Sequence, residues 1–154
     1  AAGTGALLQG FADAGMRDMS AGDLLAANNA AFDPPRTPFD WLSRDEAEVD
    51  RYVADPYCGD NNPLTFGYLI DLFDVVGPAT EHIRDIACPV LVIAGDQDPA
   101  AAMGAHAIAL AKALTANDVP CDGQIYEGAR HELLNETNRD EVTADIIAWL
   151  QSNR

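Results

Sequence analysis

Residues Cys88–Pro99 read CPVLVIAGDQDP. Pro89 to Ala94 is a continuous apolar run with β-branched residues, the composition of a parallel strand covered by helices on both faces. Gly95-Asp96-Gln97-Asp98-Pro99 closes it with turn-forming residues. Downstream, an Ala-rich helix is expected over 101–116 through Ile108, Leu110 and Leu114, and DGQIYE (122–127) reads as a shorter strand ending in the turn Gly128-Ala129-Arg130-His131. Asn138, with Glu141 three residues on, is placed to cap a last helix. That helix carries Val142, Ile146, Trp149 and Leu150 on one face at i, i+4, i+7 and i+8. Residues 87–154 are therefore expected to form a βαβα unit of an α/β protein.

Upstream, residues 6–86 show helical periodicity broken by loops and no convincing period-2 strand. A short helix through Leu24 and Leu25 to Ala31 must end before Asp33-Pro34-Pro35. Ser43-Arg44-Asp45-Glu46 has the form of a capping box and predicts a helix from Arg44 to about Val53. Asn62-Pro63 places a capping side chain before a proline at the first helical position. Phe66, Leu69, Ile70, Phe73 and Val76 then recur at the spacing of one buried helix face.

Two short parallel strands would leave long unpaired edges if they formed a whole sheet. The strands are expected to belong to a larger sheet, completed by a segment upstream of residue 1 or by a companion chain. The opening AAGTGALLQGF has no Met and no signal-peptide pattern, so residue 1 is not expected to be the start of translation.

The composition bounds the function. The 154 residues carry 25 acidic and 9 basic side chains for a net charge of −16, a field that repels phosphate backbones, so nucleic acid is not an expected partner. No apolar run approaches the roughly 18 residues of a membrane span. Cys58, Cys88 and Cys121 form neither a disulfide framework nor a metal-ligand pattern, which fits a reducing, cytoplasmic setting. No cofactor or metal is expected.

Reactive groups of open α/β sheets collect on loops at the carboxyl ends of strands. Asp98 follows Ala94 by four residues, and His131 follows Glu127 by four. In neighbouring strands the two side chains meet, and the carboxylate then fixes the imidazole tautomer while the second ring nitrogen takes a proton from a hydroxyl nucleophile. Either motif alone reads equally as a polar turn or a solvated His loop. Acid then base, each after a strand of one βαβα unit, is the chain order of the last two members of a Ser, Asp, His triad on this class of sheet.

CPVLVIAGDQDP, with IYEGARHELLNETNRDEV and the closing amphipathic helix, resembles the C-terminal end of bacterial lysophospholipase-like α/β-hydrolases, relatives of monoacylglycerol lipase also described as serine aminopeptidase-like. RTPFDWLSRDEAEVDRYVADPYCG (36–59) resembles the cap region of the same family. The resemblance implies residues 1–86 as a helical cap or lid and 87–154 as the C-terminal part of the hydrolase core. It implies Asp98, at the last position of G-x-x-D, as the acid rather than Asp96, and His131 as the base. Ala1–Gly5 resembles the end of the strand that precedes the cap.

The chain departs from that family at the nucleophile. Its serines are Ser20, Ser43 and Ser152, none flanked by the glycines of G-x-S-x-G that expose a hydroxyl on a strained elbow. The nucleophile and oxyanion hole are therefore expected upstream, in a missing N-terminal half. Cys58 has no nucleophile signature and is expected to be a packed or unpaired thiol. His82 and His106 lack a third ligand and read as ordinary helix residues. Phe32, Phe39, Trp41, Tyr57 and Phe66 read equally as an acyl-binding slot or as ordinary core. Glu127 and Glu132 flank His131 and either tune it or face water.

The leading expectation is a serine hydrolase of a lysophospholipid, monoacylglycerol or similar acyl ester, with this chain supplying acid, base and cap. The alternative is an inactive fragment or a pairing module that docks on another chain through its sheet edge. An unrelated α/β ligand-binding domain ranks last, because it leaves the cap resemblance without a cause.

Overall fold

The computed structural model describes residues 9–61 and 64–153. The strand and helix grammar of the second half is present: β1 (Val90–Gly95) and β2 (Cys121–Tyr126) pair in parallel, Val90 beside Cys121 through Gly95 beside Tyr126. Helices lie on both faces. On one, Val92 joins Ile83, Leu114 and Val119 in a buried cluster, with Ala107 and Ala111 of the helix Ala105–Ala116 against it. On the other, Ile93 meets Tyr126, Ala129, Leu133 and Val142, and Ile146 of the helix Arg139–Ser152 packs there. Alternate residues of one strand thus feed two clusters, which is why the run is apolar throughout.

The first half is helical, with a single antiparallel bridge between Ser20 and Thr65 among the described residues. After the helical residues 9–13, its α-helices in chain order are α1 (Gly22–Ala26), continued as a 3₁₀ turn to Ala31, α2 (Glu46–Ala54) and α3 (Phe66–Val76), which a 3₁₀ helix Gly77–Asp85 follows. The helices of the second half are then α4 (Ala105–Ala116) and α5 (Arg139–Ser152). Ala21, Phe66, Leu69 and Ile70 form a separate core with Phe11, Met16 and Leu64 around it. The predicted stop before Asp33-Pro34-Pro35 is where regular structure ends. The Asn62-Pro63 start signal and the Ala1–Gly5 likeness lie outside the described residues.

Several expectations need correction. Ser43 is not the cap of α2: Asp45 is, and its carboxylate accepts the amide of Ala47 at 3.0 Å. The Ser43 hydroxyl instead accepts from the Asp45 amide and donates to the carbonyl of Asn135 at 2.8 Å, a contact 92 residues away. Helix α4 starts at Ala105 rather than 101, because Ala102, Met103 and Gly104 take positive φ values of 50°, 53° and 79° and cannot be helical. Asn138 stands at the start of α5 but its carbonyl oxygen goes to Arg44, while its amide donates to Glu141. Of the two predicted apolar faces, α3 buries Phe66, Leu69 and Ile70 and exposes Phe73 and Val76, and α5 buries Val142 and exposes Leu150.

Candidate active site

The last residue of β1 sets the geometry. A Cβ on Gly95 would stand 2.0 Å from the Ala129 carbonyl oxygen and 2.6 Å from that of Arg130, so only glycine lets the two strand-end loops approach this closely. The loops are then laced by backbone bonds, Asp96 N–H to the Tyr126 carbonyl at 3.2 Å and Gln97 N–H to that of Ala129 at 3.0 Å. Asp96 adds its carboxylate, which accepts the Gly128 amide at 2.7 Å. It is a structural residue.

Across this seam Asp98 and His131 meet, with the imidazole Nδ1 3.0 Å from Asp98 Oδ2. The Asp98 side chain is 7% exposed and that of His131 41%. Burial pushes the Asp98 carboxyl up, but the hydrogen bond and charge of His131 and the amides of Ala101 and Ala100 outweigh it and hold it below the ordinary range. Asp98 Oδ1 accepts the Ala100 amide at 2.9 Å, and its carbonyl accepts the Met103 amide at 2.7 Å, so the acid organises the positive-φ loop that delays α4. The hydrogen bond to Asp98 lifts the His131 pKa above its ordinary value against the opposing effect of burial; the charges of Asp98 and Glu132 add to it. With Nδ1–H donating to the carboxylate, Nε2 is the nitrogen left to accept a proton.

The His131 loop is also held from the first half of the chain. The His131 amide donates to the Trp41 carbonyl at 3.4 Å and the Glu132 amide to that of Leu42 at 2.8 Å. The Trp41 indole lies against the imidazole, with ring centroids 4.9 Å apart. Arg130, next to the His, sits over the Phe32 ring at 4.1 Å and donates to the carbonyls of Asp40 and Ser43. Trp41 was a candidate for lining the site, but its contact with His131, and the roles of Arg130 and Gly95, were not legible because their partners are remote in the chain.

The remaining candidates disperse. The five aromatics do not form one cluster: Phe66 packs on Phe11, Phe39 on Tyr52, Phe32 under Arg130, and Trp41 on His131. Phe39, Tyr52, Tyr57, Cys58 and Leu64 line a separate cavity of about 170 Å³. Burial, Asp55 and Glu132 raise the Cys58 thiol, which keeps it protonated and a poor nucleophile. Ser20 Oγ accepts the Gly22 amide and Ser152 Oγ donates to the Ala148 carbonyl. His82 pairs with Asp85 at 3.0 Å, His106 lies exposed in α4, and no His, Cys, Asp and Glu group among the described residues could hold a metal. No helix among them is long and apolar enough to cross a membrane.

A buried acid bonded to a half-exposed imidazole, both on loops at the carboxyl ends of adjacent parallel strands, is an arrangement that can activate a hydroxyl brought to Nε2. Comparison with known proteins agrees with the fold. The family model described as serine aminopeptidase, S33 (Hydrolase_4) matches residues 8–138. A monoacylglycerol lipase from Mycolicibacterium smegmatis is 27% identical over 114 residues, which are 74% of this chain and 39% of that protein. The crystal structure of a highly thermostable carboxyl esterase from Bacillus coagulans, in complex with glycerol, superposes with a TM-score of 0.83 at 25% identity, covering 99% of this chain and 52% of the esterase. The chain thus spans about half or less of the length of these relatives.

Proposed function

The chain belongs to the serine aminopeptidase S33 family of hydrolases and has a partial α/β-hydrolase fold, and from this we propose that it supplies the acid, base and cap of a serine esterase acting on a monoacylglycerol, lysophospholipid or similar acyl ester. Residues 1–86 form the cap and 87–154 the C-terminal part of the core. The serine and the oxyanion hole come from an N-terminal half that completes the sheet. The observation that carries this reading is the 3.0 Å bond from His131 Nδ1 to Asp98 at the ends of two adjacent parallel strands. The monoacylglycerol lipase and carboxyl esterase likenesses support the substrate class.

In the reaction His131 Nε2 takes the serine proton as the hydroxyl oxygen attacks the ester carbonyl. Asp98 stays ionised and stabilises the imidazolium, which then protonates the departing alcohol. Water, deprotonated by the same nitrogen, attacks the acyl-enzyme and releases the carboxylic acid and the free serine. The three free thiols fit a reducing, cytoplasmic setting for this chemistry.

The test uses the complete protein and this chain side by side. The complete protein hydrolyses a short-chain nitrophenyl ester and is labelled by a fluorophosphonate, while the 154-residue chain does neither. Asp98→Asn or His131→Ala in the complete protein removes most of the turnover, since the triad acts as a unit. Full activity in either variant, or labelling of this chain alone, contradicts the proposal. The second reading, a module that pairs with another chain without catalysis, draws on β1, whose partner among the described residues is β2 alone. It is favoured if the complete protein binds its companion segment but reacts with no acyl ester.

A further inference from the structure

Glu136 lies five residues beyond His131 and is fully buried, at 0% exposure, in a chain whose other carboxylates are mostly at the surface. Buried charge is costly unless it is answered, and here four N–H donors answer it, joined by the Thr137 hydroxyl at 3.4 Å from Oε2. Its Oε1 accepts the amide of Arg130 at 2.9 Å and that of Arg44 at 3.0 Å. Its Oε2 accepts Arg44 Nε at 2.8 Å and the amide of Thr137 at 2.9 Å. Three segments therefore converge on one carboxylate: 41–44, the loop that carries His131, and the entry to α5.

The convergence bears directly on the imidazole. Arg130 N–H, fixed by Oε1, belongs to the Ala129–Arg130 peptide, one residue before His131. Arg44 N–H, fixed by the same oxygen, continues the segment whose Trp41 ring lies against His131 and whose Trp41 and Leu42 carbonyls accept the amides of His131 and Glu132. The Ser43 hydroxyl, bonded to the Asn135 carbonyl, closes the same ring of contacts next to Glu136. We infer that Glu136 is the positioning residue of His131, joining the base loop to the 41–44 segment so that the imidazole is held between Trp41 and Asp98.

The chemistry of the shell sharpens the claim. All four N–H neighbours can only donate, two at each oxygen, so a group that accepts at both oxygens is the one that fits. Glutamine has nearly the shape of glutamate, yet its NH₂ would face either the Arg130 and Arg44 amides or the Arg44 guanidinium and the Thr137 amide. In both orientations a pair of donors is left facing a donor. Glu136→Gln is therefore a severe change at this position, although it would be mild at a solvated one.

The inference rests on the proposed triad, and the experiment keeps the two separable. In the complete protein, Glu136→Gln lowers kcat for a short-chain ester by about 100-fold, the size expected for sub-ångström to ångström misplacement of a catalytic group. KM stays within a few-fold, and the downfield proton resonance of His131 Nδ1–H shifts or broadens. Arg44→Met, which removes the guanidinium donor and leaves three amides and the Thr137 hydroxyl, gives a smaller change of the same kind and serves if Glu136→Gln does not fold. Folded variants with wild-type kcat and an unchanged His131 resonance overturn the positioning role, as does loss of stability with both readouts intact in Arg44→Met. If instead Asp98→Asn is fully active, it is the triad reading that fails.

Discussion

His131 and Asp98 shift in opposite directions because each stabilises the charged form of the other. In the proposed mechanism, catalysis through a neutral imidazole is lost as His131 takes a proton. The acid limb of kcat/KM for the complete protein is therefore expected above the ordinary 6.5 of a free imidazole, and Asp98→Asn moves whatever limb remains to lower pH. Stability carries the same signature. The lowered Asp98 contributes above the ordinary carboxylate range and loses its contribution as pH falls through its folded value. The raised His131 contributes below the ordinary imidazole value and loses it as pH rises through its own folded value. Denaturation midpoints should peak between the two ranges, and the peak should flatten in Asp98→Asn; an unchanged profile would mean that the pair adds nothing to the fold. Gly95 makes a sterner residue-scale test. A methyl there meets two backbone carbonyls, and backbone cannot swing aside as a side chain does, so Gly95→Ala should cost about 1–3 kcal/mol by denaturant melts and part the two loops. Asp98 and His131 were legible in the sequence because strand ends and triad order are local signals. Glu136 was not, because its burial depends on Arg44, 92 residues earlier.

At the scale of elements, the run Ser43-Arg44-Asp45-Glu46 offers two capping residues, and local spacing cannot choose between them. Tertiary contact does, by turning the Ser43 hydroxyl toward Asn135 and leaving Asp45 to start α2. Asp45 also pairs with Arg139 at the head of α5, and Arg139 reaches Glu48 at 2.6 Å, so α2 and α5 are joined at their N-termini. Asp45→Ala should cost about 1 kcal/mol through the cap alone. Asp45→Asn keeps an acceptor for Ala47 and loses only the exposed part of the ion pair, so it should cost less than Asp45→Ala. Equal losses in thermal unfolding would mean that Arg139, not the cap, carries the effect. Helix α4 was misplaced at its start for a comparable reason. Its alanines favour a helix from 101, but Asp98 claims the Ala100 and Met103 amides and bends the chain into positive φ first. Periodicity found the two α-helices that pack on the sheet, missed the 3₁₀ helix Gly77–Asp85 whose Ile83 joins Val92, and erred where one polar side chain reorganises a turn.

For the molecule as a whole, the described sheet has two strands, and beside it Val92, Ala107, Ile108, Ala111 and Ile125 line an open groove of about 510 Å³. An unpaired strand edge was expected of so short a βαβα unit, and among the described residues β1 pairs with β2 alone; the groove and the division of the first half's aromatics among four contacts were invisible to spacing. Apolar lining favours association, and a net charge of −16 opposes it. The 154-residue chain should therefore bind a hydrophobic dye and sediment as larger species as salt is raised from about 0.02 to 0.5 M, because screening removes the repulsion first. A dye-silent monomer at high salt would show that the groove is closed in solution. Within the same architecture the two strand-end loops are tied twice, once by Asp98 on His131 and once by Asp96 on the Gly128 amide. The second tie lies outside the proposed proton transfer. Substituting Asp98 or His131 therefore leaves one of the two ties between the loops intact, through Asp96, and loss of the proposed chemistry need not part them.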